Sequence, residues 1–96
     1  MKIHLVCSAG MSTSLLVNNM KKSAPEGYEI DAGPFAELED IVDNYDVILV
    51  GPQVRFKYDD IKAVCYSHGK KCELIDMRVY GRMDGVKALE IAMNAK

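Results

Sequence analysis

One cysteine of this chain stands apart from the other two. Cys7 closes a short apolar run, Ile3-His4-Leu5-Val6, and opens the segment Cys7-Ser8-Ala9-Gly10-Met11-Ser12-Thr13-Ser14. From Thr13 to about Ala24 the apolar residues Leu16, Val17, Met20 and Ala24 recur at helical spacing, opposite Asn18, Asn19, Lys21 and Lys22. The pattern predicts a strand ending at a thiol, a loop of small residues, and a helix N-terminus. Free backbone N–H groups and the helix dipole favour an anion there. They also favour thiolate over thiol, the nucleophilic form. Gly10 permits the backbone angles that curl successive N–H groups into an anion nest. Ser8, Ser12, Thr13 and Ser14 add hydroxyl donors without bulk. The segment suits a tetrahedral oxyanion, with phosphate the obvious candidate. A cysteine closing a buried strand also serves as a small hydrophobe, and that reading stands beside the chemical one.

What the loop lacks narrows the chemistry. Cysteine phosphatases and arsenate reductases of similar topology use a cysteine, five residues and an arginine. Here Thr13 holds the arginine's place, and no arginine occurs between Cys7 and Val54. An arginine fork stabilises the equatorial oxygens of a phosphoryl group in transfer. A loop of neutral donors can hold a phosphocysteine without promoting hydrolysis, as a carrier requires.

The elements that position this loop follow from hydropathy. Tyr28 to Ala32 reads as a second strand with one solvent-facing side, and Phe35 to about Asn44 as a short helix. Val47-Ile48-Leu49-Val50 is a β-branched run typical of a central parallel strand. Gly51-Pro52 breaks it. A longer helix follows with the stripe Val54, Tyr58, Ile61, Cys65 and His68, and Gly69 sits where a C-cap glycine belongs. Cys72 to Ile75 reads as a fourth strand, Asp76 to Gly81 as a loop, and Asp84 as the N-cap of a last helix. Alternating strands and helices in one short chain imply α/β: an open parallel sheet with helices on both faces. Ligands of such sheets bind beyond the carboxyl ends of the strands, at a topological switch point. The loops after the first, third and fourth strands should meet there.

Composition bounds the remainder. The chain has 96 residues, 49% apolar and 27% charged, which fits one compact domain over residues 1–96 and excludes disorder. Three cysteines with no C-x-x-C spacing exclude a disulfide scaffold, a zinc ribbon and a thioredoxin-type motif. Twelve basic residues against fourteen acidic ones, with the basic ones scattered, give no nucleic-acid stripe. The longest strongly apolar run is far too short to span a bilayer, so a cytoplasmic location with reduced thiols is expected. No metal or cofactor is expected.

Cys7 to Val17, together with Gly51-Pro52-Gln53, Asp76-Met77-Arg78-Val79-Tyr80-Gly81 and Asp84-Gly85, resembles enzyme IIB of the lactose/cellobiose class of the bacterial sugar phosphotransferase system. The resemblance spans essentially the whole chain. It implies a four-stranded parallel sheet in the order 2-1-3-4. It implies that Cys7 takes a phosphoryl group from a histidine of enzyme IIA. It further implies that the group passes to a sugar held by the membrane permease, enzyme IIC, typically a β-linked disaccharide or chito-oligosaccharide. Ser8, Ala9, Gly10, Met11, Ser12, Thr13 and Ser14 would hold the phosphoryl group through backbone and hydroxyls. Gln53, Tyr80 and Gly81 are candidates for the rim, with the Tyr80 hydroxyl turned to the phosphate or to a partner. Asp76 reads as a strand-end hydrogen-bonding residue. Met11 is placed at the loop tip. Cys65 and Cys72 read as packing, and His4 and His68 as strand and cap residues. The alternatives are a low-molecular-weight cysteine phosphatase or arsenate reductase, and a regulatory domain of IIB-like fold.

Overall fold

The computed structural model describes residues 1–7 and 11–95, with side chains throughout except at 11 and 12. The strands are β1 (Lys2–Val6), β2 (Glu29–Gly33), β3 (Val47–Val50) and β4 (Lys71–Leu74). The α-helices are α1 (Met11–Ser23), α2 (Leu38–Ile41), α3 (Tyr58–Ser67), α4 (Met77–Gly81) and α5 (Gly85–Met93). The four strands form one parallel sheet in the order β2-β1-β3-β4, as expected.

Alternation along the strands builds two cores. Ile3 and Leu5 of β1, with Val47 and Leu49 of β3, face α1 and α5 and pack on Leu16, Met20, Ala88 and Leu89. Val6, Ile48 and Val50 face the other way, toward Leu38, Val42, Ile61 and Cys65. Burying each Leu, Ile or Val contributes about 1.5–3 kcal/mol. Two such layers account for a stable sheet of four- and five-residue strands without metal or disulfide.

The register lines up the carboxyl ends. Val6 pairs with Gly33 and with Val50, and Val50 pairs with Leu74. Three further bonds extend the ladders past the strand ends: the Cys7 N–H to the Gly33 carbonyl at 3.1 Å, the Gly51 N–H to Val6 and the Ile75 N–H to Val50, both at 2.9 Å. Cys7, Gly51 and Ile75 therefore stand in one row at the sheet's carboxyl rim.

Several boundaries differ from the expected ones. The first helix begins at Met11, two residues before Thr13, so Met11 opens a helix instead of tipping a loop. The segment from Phe35 to Asn44 is not one helix. It is a short α-turn between two 3-10 turns, Phe35–Glu37 and Val42–Asn44, because Pro34 and the small apolar stripe support no longer ladder. The third helix is likewise divided. Pro52 starts a 3-10 segment, Pro52–Lys57, with Val54 off helical geometry, and regular α-helix begins only at Tyr58. Gly69 does end that helix, at φ +71°.

The stretch after β4 is also not a loop. Met77–Gly81 forms α4, and Asp76 is its N-cap, accepting from the Arg78 N–H at 2.6 Å. Asp84 caps α5 as expected, accepting from the Lys87 N–H at 3.1 Å. No described helix is long and apolar enough to cross a membrane.

Candidate functional site

Cys7 occupies the switch point. β1 connects outward to β2 on one side, while β3 lies on its other side, so the ends of β1 and β3 diverge where a ligand can enter. The thiol is 6% exposed, and its Sγ lies 3.9 Å from the Gly33 carbonyl, a long sulfur contact. Gly51 is the neighbour across the crevice. A Cβ there would stand 3.0 Å from Gln53 Oε1, 3.3 Å from the Val6 carbonyl and 3.8 Å from Cys7 Cβ. Glycine at this position lets the chain turn directly beside Cys7, and the Gln53 side chain folds back toward Gly51.

His4 supports the same corner from beneath. Its Nδ1 is 2.6 Å from Asp31 Oδ1, and the Tyr45 hydroxyl donates to Asp31 Oδ2 at 2.5 Å. The ring is buried against Gly33, where a Cβ would come within 3.2 Å of His4 Cε1. Burial, the bond to Asp31 and the nearby charges of Asp31 and Glu29 push the Tyr45 hydroxyl up to about 12. The histidine is a strand residue, as the sequence suggested, and the structure adds Asp31 as its partner.

The helix after Cys7 suits an anion. α1 has no acidic residue in its first turn, while Lys21 and Lys22 occupy its last turn and complement the dipole. Its first N–H groups have no acceptor within the helix. Ser8, Ala9 and Gly10, the expected nest, lie outside the described residues. Ser14 is exposed on the first turn.

Thr13 departs from expectation. It is 4% exposed, and its Oγ1 lies 2.7 Å from the Tyr80 hydroxyl, which is itself buried at 6%. Tyr80 is therefore not an exposed rim aromatic. Its hydroxyl engages the first turn of α1, and its ring lines a cleft of about 510 Å³ with Pro52, Gln53, Arg55, Phe56, Met77 and Gly81. Gln53 and Gly81 line the same cleft. Sequence reasoning missed the Thr13–Tyr80 pair, because nothing local links residues 67 positions apart.

The other cysteines belong to the core. Cys65 on α3 and Cys72 on β4 are both buried, free of disulfide, and packed in the same apolar cluster. Contact with Cys65 and burial push the Cys72 thiol far above the usual range, so it stays protonated. His68 caps α3 and pairs with Asp43 at 2.9 Å. The carboxylates near the site are also committed. Asp76 and Asp84 each accept a helix N–H group as an N-cap.

Residues 2–91 match the family described as PTS system, Lactose/Cellobiose specific IIB subunit. The chain belongs to this family. As a IIB component it is a phosphotransferase of sugar transport. It is similar to the oligo-beta-mannoside-specific EIIB component of Bacillus subtilis (strain 168), 40% identical over 97% of this chain and 93% of that one. It is also similar to the galactose-specific EIIB component of Lactococcus lactis subsp. cremoris, 40% identical over 96% of this chain and 93% of that one. The lactose-specific EIICB component of Staphylococcus epidermidis is 33% identical over 90% of this chain, which spans 16% of that longer protein. Among solved structures, the cellobiose-specific IIB component of Borrelia burgdorferi superposes with a TM-score of 0.80 at 39% identity, covering 98% of this chain and 89% of that one.

Proposed function

We propose that this IIB component carries the phosphoryl group on Cys7, between a phosphohistidine of a IIA protein and a sugar bound to the membrane permease IIC. In the first step the P–N bond of phosphohistidine breaks as the S–P bond forms, and the thiol proton goes to the departing imidazole. In the second a sugar hydroxyl attacks phosphorus, the S–P bond breaks and the thiol is regenerated. Both steps need positioning and charge stabilisation more than covalent assistance. The observation that carries the reading is the place of Cys7: a thiol at the switch point, separated by three residues from a helix whose first turn holds no acid. The N–H groups of residues 8–14 and the hydroxyls of Ser8, Ser12 and Ser14 hold the phosphoryl oxygens, with Ala9, Gly10 and Met11 contributing backbone alone. Thr13 takes part through its N–H, its hydroxyl being turned to Tyr80.

The fused arrangement in the staphylococcal EIICB protein supports a permease partner. Residues 1–96 act as one domain at the cytoplasmic face. The substrate is a β-linked disaccharide of the cellobiose, chitobiose or lactose type, although the relatives' names extend to galactose and oligo-β-mannosides. A cysteine phosphatase or arsenate reductase would need an arginine in the loop and a carboxylic acid to protonate its leaving group. Thr13 stands in the first place, and Asp76 and Asp84 are engaged as helix caps.

The relay is tested with phosphoenolpyruvate, enzyme I, HPr, a IIA of the lactose/cellobiose class, permease vesicles and a panel of β-disaccharides. Phosphorylated disaccharide that forms only when this protein is present supports the reading. Turnover of p-nitrophenyl phosphate by the protein alone, without sugar phosphorylation, overturns it for the phosphatase. Absence of any phosphoryl uptake overturns it for a regulatory domain.

A further inference from the structure

His4 carries a polar atom that the fold leaves without a partner. Its ring is buried, at 3% exposure, in the middle of β1. Nδ1 is committed to Asp31 at 2.6 Å, but Nε2 meets no hydrogen-bond partner among the described residues. Buried polar atoms are nearly always paired, and the transfer steps at Cys7 do not use this one.

The surroundings of the ring are acidic. Asp31 faces it from β2, and Tyr45 packs on it with ring centroids 4.7 Å apart while donating to Asp31. Tyr45 keeps its proton at neutral pH, its hydroxyl being pushed up to about 12. Glu37 approaches from the 3-10 turn Phe35–Glu37: a Cβ at residue 33 would lie 3.4 Å from His4 Nε2 and 3.6 Å from Glu37 Oε2. With glycine there, the two atoms flank the same unfilled point. Glu37 is exposed, and its carboxylate forms no ion pair among the described residues. The other nearby charges are engaged: Glu29 pairs with Lys2 at 3.5 Å, and Asp46 accepts from the Lys2 N–H at 2.8 Å. Val6, Ile48, Leu38 and Val42, in the core on this side of the sheet, are uncharged. Gly33 joins the pocket to the site. Its carbonyl accepts the Cys7 N–H at 3.1 Å and stands 3.9 Å from Cys7 Sγ. Only Pro34 separates it from the turn that bears Glu37.

We propose that His4 is a proton-dependent positioning residue for Cys7, acting through Gly33 and Glu37. The proposal rests on Cys7 being the phosphoryl acceptor. Histidine is the side chain whose charge changes between about pH 5 and 8. Neutral His4 donates from Nδ1 to Asp31 and leaves Nε2 a bare nitrogen, which fits the observed geometry. Taking a proton from solvent gives Nε2 an N–H that must find an acceptor while buried. Glu37 is the unengaged carboxylate beside it. Drawing Glu37 inward pulls its turn across Gly33 and moves the carbonyl that holds Cys7. The neutral ring therefore sets the thiol for in-line transfer, and acid weakens that setting.

The test follows two reactions of Cys7 across pH: phosphoryl uptake from a phosphorylated IIA of the lactose/cellobiose class, and alkylation by iodoacetamide mapped by mass spectrometry. Wild type is compared with H4N, which keeps a donor toward Asp31 but cannot take up the proton, with E37Q, and with H68N as a control for the other histidine. Circular dichroism melting confirms folding. The ratio of wild-type to H4N uptake should fall by about threefold or more from about pH 8 to about pH 5.5, because the donor's own pH dependence cancels in the ratio. The alkylation ratio should change across the same window. E37Q should match wild type near pH 8 and lose most of the decline in acid, and H68N should follow wild type throughout. Ratios to H4N that stay constant in both reactions overturn the proposal. So does an E37Q profile identical to that of wild type, which decides the matter even where H4N does not fold. A wild type that shows the alkylation change but takes up no phosphoryl group contradicts the carrier role of Cys7 and leaves the His4 device standing.

Discussion

The hydroxyls of Thr13 and Tyr80 lie 2.7 Å apart in a buried pair that ties the first turn of α1 to α4. The bond links the helix that follows Cys7 to the segment following β4. Losing one partner leaves the other buried without a replacement, which costs about 1–3 kcal/mol. Tyr80→Phe and Thr13→Val should each lower stability by about that amount in urea unfolding. The double variant should lose less than the two single losses added, because the pair is then removed together. Strict additivity would show that the two hydroxyls do not depend on each other. Tyr80→Phe should also slow phosphoryl uptake, since the first turn of α1 loses its anchor.

Gly85 marks a close approach of α5 to α1. A Cβ there would fall 2.4 Å from the Asn19 carbonyl carbon and 2.6 Å from the Met20 nitrogen. These are backbone atoms and cannot step aside. Gly85→Ala must therefore push α5 off α1 and open the core around Leu16, Met20 and Leu89, at a cost of about 3 kcal/mol. Denaturant titration reads this directly, and a variant as stable as wild type would mean the two helices slide freely.

Gly51 predicts a different balance. The nearest obstacle to an added methyl is Gln53 Oε1 at 3.0 Å, the end of a flexible side chain, with the Val6 carbonyl next at 3.3 Å. Gly51→Ala should fold with a modest loss, about 1 kcal/mol. The methyl would still displace the Gln53 side chain beside Cys7, so phosphoryl uptake should fall by more than stability does. Equal uptake in the variant would remove Gly51 from the list of residues that shape the site.

Stability should depend on pH through Tyr45. Its hydroxyl is raised from about 10 to about 12, chiefly by burial and then by its bond to Asp31, so the native state favours the protonated form. That contribution is complete below the unfolded value near 10 and is lost as pH rises through about 12. Thermal melts of wild type should decline across that window, and Tyr45→Phe should decline less. Tyr58, also raised to about 12, leaves the variant a residual slope. Identical profiles for the two proteins would show that Tyr45 does not titrate in this environment.

Much of this architecture was legible in the chain because it is local. The β-branched run Val47–Val50 announces a buried parallel strand, Gly69 and Asp84 announce helix ends, and the strand–helix alternation places Cys7 at the rim. What escaped the sequence depends on distant partners. α4 has five residues, too few to show a period, and its existence rests on the Asp76 cap and on Tyr80 packing into the core. The division of the segment after β3 follows from Pro52 and the non-helical backbone at Val54, which a hydrophobic stripe does not register.

The position of the phosphoryl group decides whether Cys7 is the carrier residue. Wild type and Cys7→Ser should be incubated with the phosphoenolpyruvate-driven donor chain, digested, and mapped by mass spectrometry. One added phosphoryl group on the peptide containing Cys7, absent from the serine variant, is the predicted result. A phosphoryl group on His4 or His68, or label retained by Cys7→Ser, would contradict it.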